Sequence, residues 1–250
     1  MQIAFVIPAY NEEALVGKCL ESVLAEVKRS GRDVDIVVVN NVSTDRTREI
    51  ALSYPGVRVV DEMEKGLVRA RDAGFRATTA ELVANIDADT VVPKGWIDTA
   101  FDEFAKNPKL VCLSGPYFYY DLTPWQRFWI TMFYGATYFM YLVNRFVLRV
   151  GSVVQGGNFV FKRSAWLEVG GYDRAITFYG EDTDVAVRLF RVGAVKWSFK
   201  FKMWTSGRRL AEEGIVKTAI TYARNFFSVT FAGRVATKKY TDVRPESADQ

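Results

Sequence analysis

Hydrophobic runs and amphipathic segments alternate along the first third of the chain. Four apolar, β-branched stretches predict strands, and the segments between them space their apolar residues three and four positions apart, which predicts helices. The predicted strands cover residues 3–10, 34–41, 57–62 and the run that ends at Asp87, and the predicted helices cover residues 12–30, 44–54 and 67–79. Continuous apolar strands joined by helices are typical of a parallel sheet covered on both faces, so we expect an α/β fold.

Polar residues follow three of the predicted strands. Residues 8–11, 40–41 and 87–89 each come at the end of an apolar run. Ligands bind outside the carboxyl ends of the strands in sheets of this kind. We therefore expect the three segments to line one crevice.

Two of these polar residues are aspartates separated by a single residue. In an extended chain the side chains of Asp87 and Asp89 point to the same face, about 7 Å apart. Two like charges at that distance require a cation or a proton, and Mg²⁺ or Mn²⁺ is commonly held by one or two carboxylates together with the phosphates of a substrate. A solvated acidic turn is the alternative, because aspartate is common in turns.

The amino-acid composition excludes several kinds of catalytic site and binding partner. The 250 residues include no histidine, which excludes a histidine-dependent catalytic triad and a histidine-ligated zinc site. Acid and base catalysis at neutral pH must therefore come from Asp, Glu, Lys, Tyr or Cys. The formal net charge of only +4 argues against a dedicated nucleic-acid-binding protein.

Cysteine usage and the first residues indicate a compartment. Cys19 and Cys112 are far apart and form no CxxC motif, as is typical of buried thiols in a reducing environment. The chain starts directly with a strand pattern and lacks the pattern of a secretory signal. We therefore expect a mature, cytoplasmic protein.

The loop after the first predicted strand excludes two classes of nucleotide-binding protein. No G-x-G-x-x-G follows that strand, and no G-x-x-x-x-G-K-[ST] occurs in the chain. Neither a Rossmann dehydrogenase nor a P-loop NTPase fits this pattern. The loop instead contains PAYNEE.

Six segments, taken together and in this order, resemble the inverting family 2 glycosyltransferases, which have the GT-A fold. They are IPAYNEE (7–13), VVVNNVSTDRT (37–47), KGLVRARDAGFRAT (65–78), NIDADTVVP (85–93), GGNFVFKRSAWLEVGGYD (156–173) and GEDTDVAVRLFRVG (180–193). The resemblance implies a GT-A domain over residues 1–205, with a Rossmann-like, mostly parallel central sheet flanked by helices, and a helical extension over residues 206–250. It also implies a nucleotide-sugar donor and a Mn²⁺ or Mg²⁺ cofactor.

The resemblance assigns donor-binding residues position by position. They are Pro8, Ala9, Tyr10, Asn11, Glu12, Asn40, Arg71, Asp87, Ala88 and Asp89, together with Arg208 and Arg209, which follow a predicted basic strand over residues 195–204 and are expected to pair with the donor diphosphate. In this assignment Asp89 binds the metal directly and Asp87 assists. Many relatives carry aspartate at the position of Asn40. An amide can accept from a uracil N–H but also donates, which weakens the usual inference of a uridine donor. We expect a UDP-sugar first and a GDP-sugar second. A helix with Arg71 in water and an exposed basic loop at Arg208 are the alternatives.

The segment GEDTD is the second acidic motif. By resemblance Asp182 is the general base that takes the proton from an acceptor hydroxyl, and Glu181 shapes the acceptor site. Gly156, Gly157 and Asn158 are expected on the acceptor side. The alternative is structural, because acidic residues at the start of a helix stabilise its positive end.

Residues 121–152 form an aromatic segment inserted in the domain. Thr123, Pro124 and Gln126 predict the start of a helix with a capping box. The 17 residues 128–144 carry no charge, slightly fewer than the ~20 that cross a bilayer. Burial in the core or in a homodimer interface, a position in a membrane interface, and a short re-entrant segment remain open.

A second helical pattern covers residues 213–234. Lys238, Lys239 and Arg244 follow it and would face anionic lipid if this helix lay on a membrane. An ordinary amphipathic helix packed on the sheet is the alternative. The last residues, RPESADQ, are expected to be disordered.

The sequence thus predicts an inverting glycosyltransferase that moves a sugar from a nucleotide sugar to a hydroxyl or phosphate of a saccharide or lipid-linked acceptor. We expect it in the cytoplasm or peripherally on the inner face of the cytoplasmic membrane, without a nucleic-acid partner. One alternative is a sugar-phosphate nucleotidyltransferase, which would need a glycine-rich, basic loop near the N-terminus. The other is a non-catalytic nucleotide-sugar-binding or membrane scaffold protein of the same fold.

Overall fold

The computed structural model describes residues 1–149, 152–176 and 178–237. Strands and helices alternate through its first part, as predicted. In chain order they are β1 (Ile3–Ala9), α1 (Val16–Ser30), β2 (Val34–Asn40), α2 (Thr47–Leu52), β3 (Val57–Asp61), α3 (Leu67–Ala77), β4 (Leu82–Ile86), β5 (Thr90–Val91) and α4 (Trp96–Lys106).

The later elements include the two longest helices in the described part of the chain. They are β6 (Leu110–Ser114), β7 (Tyr117–Tyr119), α5 (Pro124–Leu142), a π-helical turn (Val143–Leu148), β8 (Asn158–Lys162), α6 (Arg163–Glu168), α7 (Glu181–Phe190), β9 (Ala194–Trp197), β10 (Met203–Thr205), α8 (Arg208–Glu213) and α9 (Ile215–Ala232). The single strand predicted over residues 195–204 is wrong. The structure divides it between β9 and β10, because the Phe201 amide donates to the Ser198 carbonyl (3.0 Å) in an intervening turn.

Seven strands form the central sheet in the order β3-β2-β1-β4-β8-β6-β9. Strand β8 runs antiparallel to its neighbours β4 and β6, and the other adjacent pairs are parallel. The carboxyl ends of β1, β2 and β3 lie side by side, since Ala9 pairs with Asn40 and Asn40 pairs with Asp61. This mostly parallel sheet confirms the predicted α/β fold class.

Apolar clusters cover both faces of the sheet. Phe5 of β1 packs with Leu20 and Trp96, which seat α1 and α4 on one face. The next residue, Val6, belongs to the cluster on the other face, together with Phe75 of α3. Successive strand residues therefore point to opposite layers, as a strand covered on both sides requires.

A second, three-stranded sheet places β10 between β5 and β7. Thr205 of β10 pairs with Thr90, the residue after Asp89, and also with Tyr119 of β7. This sheet brings the start of the C-terminal helices to the carboxyl end of β4. Distant parts of the chain thus meet at the predicted crevice.

Helix α5 begins with the predicted capping box. The Gln126 amide donates to Thr123 Oγ1 (3.3 Å), and the Thr123 amide donates to Gln126 Oε1 (3.0 Å). Within the described residues, none of the helices combines the length and the apolar character needed to cross a bilayer. Lys238, Lys239, Arg244 and the tail predicted to be disordered lie outside the described residues.

Candidate active site

The carboxyl ends of β1, β4 and β10 meet at a cavity of about 460 Å³. Most of the predicted site residues line it. They are Pro8, Glu12, Arg71, Asp87, Ala88, Asp89, Gly156, Glu181, Asp182, Arg208 and Arg209. The structure therefore brings the two acidic motifs, which are far apart in sequence, into one space.

Asp87 is held by two side chains from other elements. Arg71 Nη2 lies 3.0 Å from Asp87 Oδ1, and the Tyr117 hydroxyl lies 2.9 Å from Asp87 Oδ2. The same hydroxyl lies 2.5 Å from the Gly156 carbonyl oxygen, so its single proton can serve either acceptor. These contacts fix the orientation of the first carboxylate of the pair.

Gly157 is the residue that allows Asp87 and Tyr117 to come so close. Its φ is +77°, and a Cβ at this position would lie 2.1 Å from Asp87 Oδ2 and 2.1 Å from the Tyr117 hydroxyl. Any side chain here would both strain the backbone and displace the carboxylate. Gly157 therefore supports the acidic pair, and its expected place on the acceptor side stays a prediction.

Asp89 is paired with a cation from the C-terminal region. Arg208 Nη2 lies 3.2 Å from Asp89 Oδ2 and also contacts Glu12, while Thr205 Oγ1 lies 3.3 Å from Asp89 Oδ1. Burial raises the pKa of Asp89 to about 7, with Arg208 opposing and the charges of Glu12 and Asp87 adding to the rise. An additional cation would favour the ionised carboxylate.

Arg71 connects the two acidic motifs. Its side chain is 1% exposed and pairs with both Asp87 and Glu181. Burial raises the pKa of Glu181 to about 7, although the charge of Arg71 opposes this rise. Arg71 therefore does not lie in water, and its guanidinium pairs with the carboxylates of Asp87 and Glu181.

Asp182 lies in the first turn of α7, beside Gly156. A Cβ at Gly156 would be 3.6 Å from Asp182 Oδ2, and the Thr183 amide donates to Asp182 Oδ1 (2.8 Å). Burial raises the pKa of Asp182 above its ordinary value. The residue before the helix is Gly180, so no side chain provides the N-cap of α7. The first turn of α7 nevertheless contains Glu181, Asp182 and Asp184, so these carboxylates also stabilise the positive end of the helix.

A second group of predicted residues lies around the ends of β1 and β2. Pro8, Ala9 and Tyr10 line a smaller cavity of about 30 Å³, where Lys65 Nζ lies 3.8 Å from the centre of the Tyr10 ring. Asn11 does not line it; its side chain accepts from the Thr44 amide (2.9 Å) and holds the neighbouring loop.

Asn40 and Asn41, at the end of β2, have different hydrogen-bond partners. Asn40 Nδ2 donates to Asp61 Oδ1 (2.8 Å), and Asn40 Oδ1 is buried without a hydrogen-bond partner in the part of the chain that the structure describes. Asn41 accepts from the Gly66 amide (2.7 Å) and donates to the carbonyls of Glu62 and Glu64 (2.9 Å each). Asn40 thus ends β2 with a buried acceptor that lines neither of the two cavities, whereas Asn41 shapes the loop that leads to α3.

In the structure, Asn158 and Arg209 have partners other than the predicted ones. Asn158 is fully buried, donates to the carbonyls of Gly115 (3.0 Å) and Phe201 (2.8 Å), and accepts from Trp96 Nε1 (3.1 Å). The acceptor-side prediction for Asn158 is therefore wrong, because its polar atoms hold the turns beneath the small sheet. Arg209 lines the cavity but pairs with Glu213 (2.7 Å).

Sequence reasoning missed Tyr117 and Thr205, and it placed Asn41 at the crevice without giving it a role. Tyr117 is 30 residues from Asp87 and Thr205 is 116 residues from Asp89, so no local spacing connects either pair. The only signal for Asn41 was its place beside Asn40 at a strand end.

Residues 4–170 match the sequence profile described as Glycosyl transferase family 2. This chain belongs to that family. The match covers β1 to α6 and so includes the Asp87–Asp89 pair, while Asp182, Arg208 and Arg209 lie beyond it.

A curated relative aligns with about two thirds of the chain. The glucosyl-dolichyl phosphate glucuronosyltransferase of Haloferax volcanii is 28% identical over 182 residues, which are 69% of this chain and 56% of the relative. The chain spans only about a third of the length of the first curated relatives it matches, 31% and 28%.

Two solved structures have the same fold over almost the whole chain. The Pyrobaculum calidifontis mannosyltransferase, in complex with GDP-Man and Mn²⁺, is 19% identical with a TM-score of 0.66, and the likeness covers 92% of this chain and 63% of that one. Glucosyl-3-phosphoglycerate synthase of Mycobacterium tuberculosis, in complex with Mn²⁺, UDP-Glc and phosphoglyceric acid, is 20% identical with a TM-score of 0.61 and covers 92% and 79%. The central sheet and its helices thus form a GT-A fold.

Proposed function

We propose that this family 2 glycosyltransferase moves a sugar, with inversion, from a nucleotide-sugar donor to a hydroxyl or phosphate of a saccharide or lipid-linked acceptor. The observation that carries the proposal is that Asp89 and Asp182 line one cavity. Arg71 joins their neighbours Asp87 and Glu181 between them. An inverting transfer needs a carboxylate that can hold a cation for the leaving diphosphate and a second carboxylate that acts as the base.

The Asp87–Asp89 pair fits a divalent metal. No group of three or more Cys, Asp or Glu side chains is arranged as a metal cage anywhere in the described ranges. Mg²⁺, however, is usually held by one or two carboxylates with substrate phosphates as further ligands, and this pair supplies that set. Asp89 would be the direct ligand and Asp87 would assist. When bound, Mn²⁺ or Mg²⁺ stabilises the negative charge that develops on the departing diphosphate.

Asp182 is the base in this proposal. It accepts the proton of an acceptor hydroxyl while that oxygen attacks the anomeric carbon from the face opposite the diphosphate. Its raised pKa makes it a stronger base than an exposed aspartate. Arg208 and Arg209 line the cavity, and Arg208, which lies beside Asp89, is the guanidinium proposed to pair with the phosphate oxygens of the donor.

The donor nucleotide is proposed to be UDP. Asn40 Nδ2 is occupied by Asp61, so a base that reached the end of β2 would meet a single acceptor, Oδ1, which is buried in this structure. Uracil carries one ring N–H, whereas guanine carries an N–H and an adjacent amino group that together favour two acceptors. GDP-sugar is the second choice, and the two solved relatives bind one nucleotide sugar of each kind.

Calorimetric titration tests this proposal. The purified protein is titrated with UDP and with GDP, each in Mn²⁺ and in EDTA, alongside Asp89→Asn and the control Asp102→Asn, an exposed aspartate on α4. We expect UDP to bind in Mn²⁺ and to lose at least about tenfold in affinity in EDTA and in Asp89→Asn, a change of about 1.4 kcal/mol. Absence of binding by either nucleotide to folded protein would favour a non-catalytic scaffold of the same fold.

A further inference from the structure

Helix α5 and the turn after it expose large apolar side chains along their length. The exposed residues are Trp125, Phe128, Trp129, Met132, Phe133, Phe139, Phe146, Val147 and Leu148. Ile130, Tyr134 and Tyr141 are the buried side chains of α5, and they form a narrow face toward the protein. A contiguous aromatic surface of this kind marks an interaction site rather than an ordinary solvated helix.

Helix α9 carries a second exposed apolar stripe. Val216, Ile220, Phe227 and Phe231 are 72%, 63%, 44% and 59% exposed. Their spacing of four, seven and four residues places them on one face of the helix. The opposite face buries Val229 next to Gly180, the residue before α7. The stripe thus belongs to a helix that is itself attached to the catalytic region.

The cavity with the acidic motifs extends between these two helices. Its walls there are Phe133, Ala136, Thr137 and Met140 of α5 and Tyr222, Ala223, Phe226 and Phe227 of α9. Phe133, Tyr222 and Phe227 line the cavity and are also 41%, 40% and 44% exposed. The cavity therefore opens at the surface between α5 and α9. An apolar passage connects that opening to Asp182.

The exposed charged residues of the segments that contain α5 and α9 have one sign. The sequence has no acidic residue from 122 to 167 or from 214 to 241. The exposed charged residues of these two segments in the described structure are basic: Arg127, Arg149, Lys217, Arg224 and Arg234. Basic residues beside an aromatic face attract an anionic membrane surface. They would repel the same face of a second copy.

We propose that the passage between α5 and α9 holds the hydrocarbon chain of a lipid-linked acceptor, taken from an anionic membrane surface on which both aromatic faces lie. This inference rests on the proposed function and specifies its acceptor. The polar head of the lipid reaches Asp182, and its chain leaves through the opening beside Phe133 and Phe227. A water-soluble saccharide would leave that apolar wall without a partner.

Chain length is the first test. Binding of farnesyl phosphate and of five-carbon dimethylallyl phosphate is measured in the presence of UDP and Mn²⁺. We expect the longer chain to bind at least about tenfold more tightly, because apolar surface is removed from water along the passage. Ala223→Trp should fill the passage and remove this preference. Ala232→Trp is the control, since Ala232 is exposed on the same helix and does not line the cavity.

The outcomes separate the two proposals. If UDP does not bind in Mn²⁺, the proposed function fails. If UDP binds and the two phosphates bind equally well, or if Ala223→Trp keeps the preference, only the lipid passage fails. UDP affinity in Ala223→Trp within about twofold of the wild-type value ensures that a loss of farnesyl binding is local.

Vesicle binding tests the membrane surface. Phosphatidylcholine vesicles with and without phosphatidylglycerol are prepared with brominated lipid, and quenching of tryptophan fluorescence is recorded. We expect quenching that is stronger with phosphatidylglycerol and that falls in the Trp125→Ser, Trp129→Ser double variant. No quenching, together with a dimer in sedimentation that Trp129→Ser dissociates, would overturn the proposal and assign the aromatic face to a second copy.

Discussion

At the scale of single residues, the proposed role of Asp182 as the general base predicts how the reaction depends on pH. Its burial raises its pKa, so the carboxyl stays protonated to a higher pH than an exposed aspartate would. A base must be ionised to accept a proton. We therefore expect kcat to fall as pH is lowered through a pKa above 3.8, the ordinary value for aspartate.

Asp182→Asn should lower kcat by about 10²- to 10⁴-fold while the Kd for UDP in Mn²⁺ changes less than about twofold. The amide keeps the size of the side chain but cannot accept the proton. Asp184→Asn is the matched control on the same helix, because Asp184 pairs with Arg188 (3.1 Å) and does not line the cavity. Equal losses of kcat and of UDP affinity in Asp182→Asn would assign this residue a structural role instead.

Gly157→Ala tests the support of the acidic pair. The added Cβ would overlap Asp87 Oδ2 and the Tyr117 hydroxyl, both 2.1 Å away, and must displace one of them. We expect UDP affinity in Mn²⁺ to fall at least about tenfold by calorimetry.

Gly56→Ala controls for backbone strain in that experiment. Gly56 has a φ of +84°, close to that of Gly157, but a Cβ there meets open space. Both variants should lose about 1–2 kcal/mol of stability from the left-handed backbone. If Gly56→Ala weakened UDP binding as much as Gly157→Ala, strain rather than displacement of Asp87 would be the cause.

At the scale of elements, α4 owes its start to a glutamate from another helix. Glu26 of α1 is 2% exposed and accepts from the amides of Gly95 and Ile97 at the first turn of α4 (3.1 Å each), and from Arg29. Burial alone would raise the pKa of Glu26, but these hydrogen bonds together hold it below its usual value. The orphan amides of α4 are thus satisfied by a charged acceptor.

The stability supplied by Glu26 should depend on pH. Because its folded pKa is depressed, the contribution is present above the unfolded value of 4.5 and is lost as pH falls through the folded pKa. Glu26→Gln should therefore cost about 1.5–3 kcal/mol in urea unfolding at pH 7, and less at pH 3. The exposed Glu168→Gln is the control. A cost that does not change with pH would mean that charge is unimportant at this cap.

Elements were predictable where their signals are local. Thr123, Pro124 and Gln126 lie within four positions of one another, and the capping box they predict is present. The division of residues 195–204 into two strands was not predictable, because the turn at Phe201 is held by Asn158, which comes from β8. The antiparallel direction of β8 also depends on its neighbours and has no pattern in its own residues.

At the scale of the whole molecule, two arginines join segments that the sequence keeps apart. Arg71 pairs with Asp87 and Glu181, and Arg208 pairs with Glu12 and Asp89. The strand ends allowed the crevice to be predicted, because the carboxyl ends of parallel strands share an edge. Which guanidinium meets which carboxylate depends on tertiary packing. The resemblance suggested only that Arg71 binds the donor and that Arg208 and Arg209 pair with its diphosphate.

Because Arg208 pairs with Asp89, removing its charge should have opposite effects on the affinity for metal and on the affinity for nucleotide. Arg208 is a cation already on the carboxylate that is proposed to bind Mn²⁺, so metal binding without nucleotide must displace it. Arg208→Gln should therefore bind Mn²⁺ about three- to tenfold more tightly in the absence of nucleotide, yet bind UDP in Mn²⁺ about tenfold more weakly, because a charge-assisted partner of the diphosphate is lost.

Electron paramagnetic resonance of free Mn²⁺ and calorimetry with UDP measure these two affinities. Both are taken at pH 8, above the pKa of about 7 that burial gives Asp89, so that protonation does not compete with the metal. Arg76→Gln, which removes an arginine that is 67% exposed and pairs with Asp72, is the control. If Arg208→Gln weakened both affinities, Arg208 would support the geometry of Asp89 rather than compete for its charge. Opposite shifts would identify Arg208 as the group that passes from the carboxylate to the diphosphate when the donor binds.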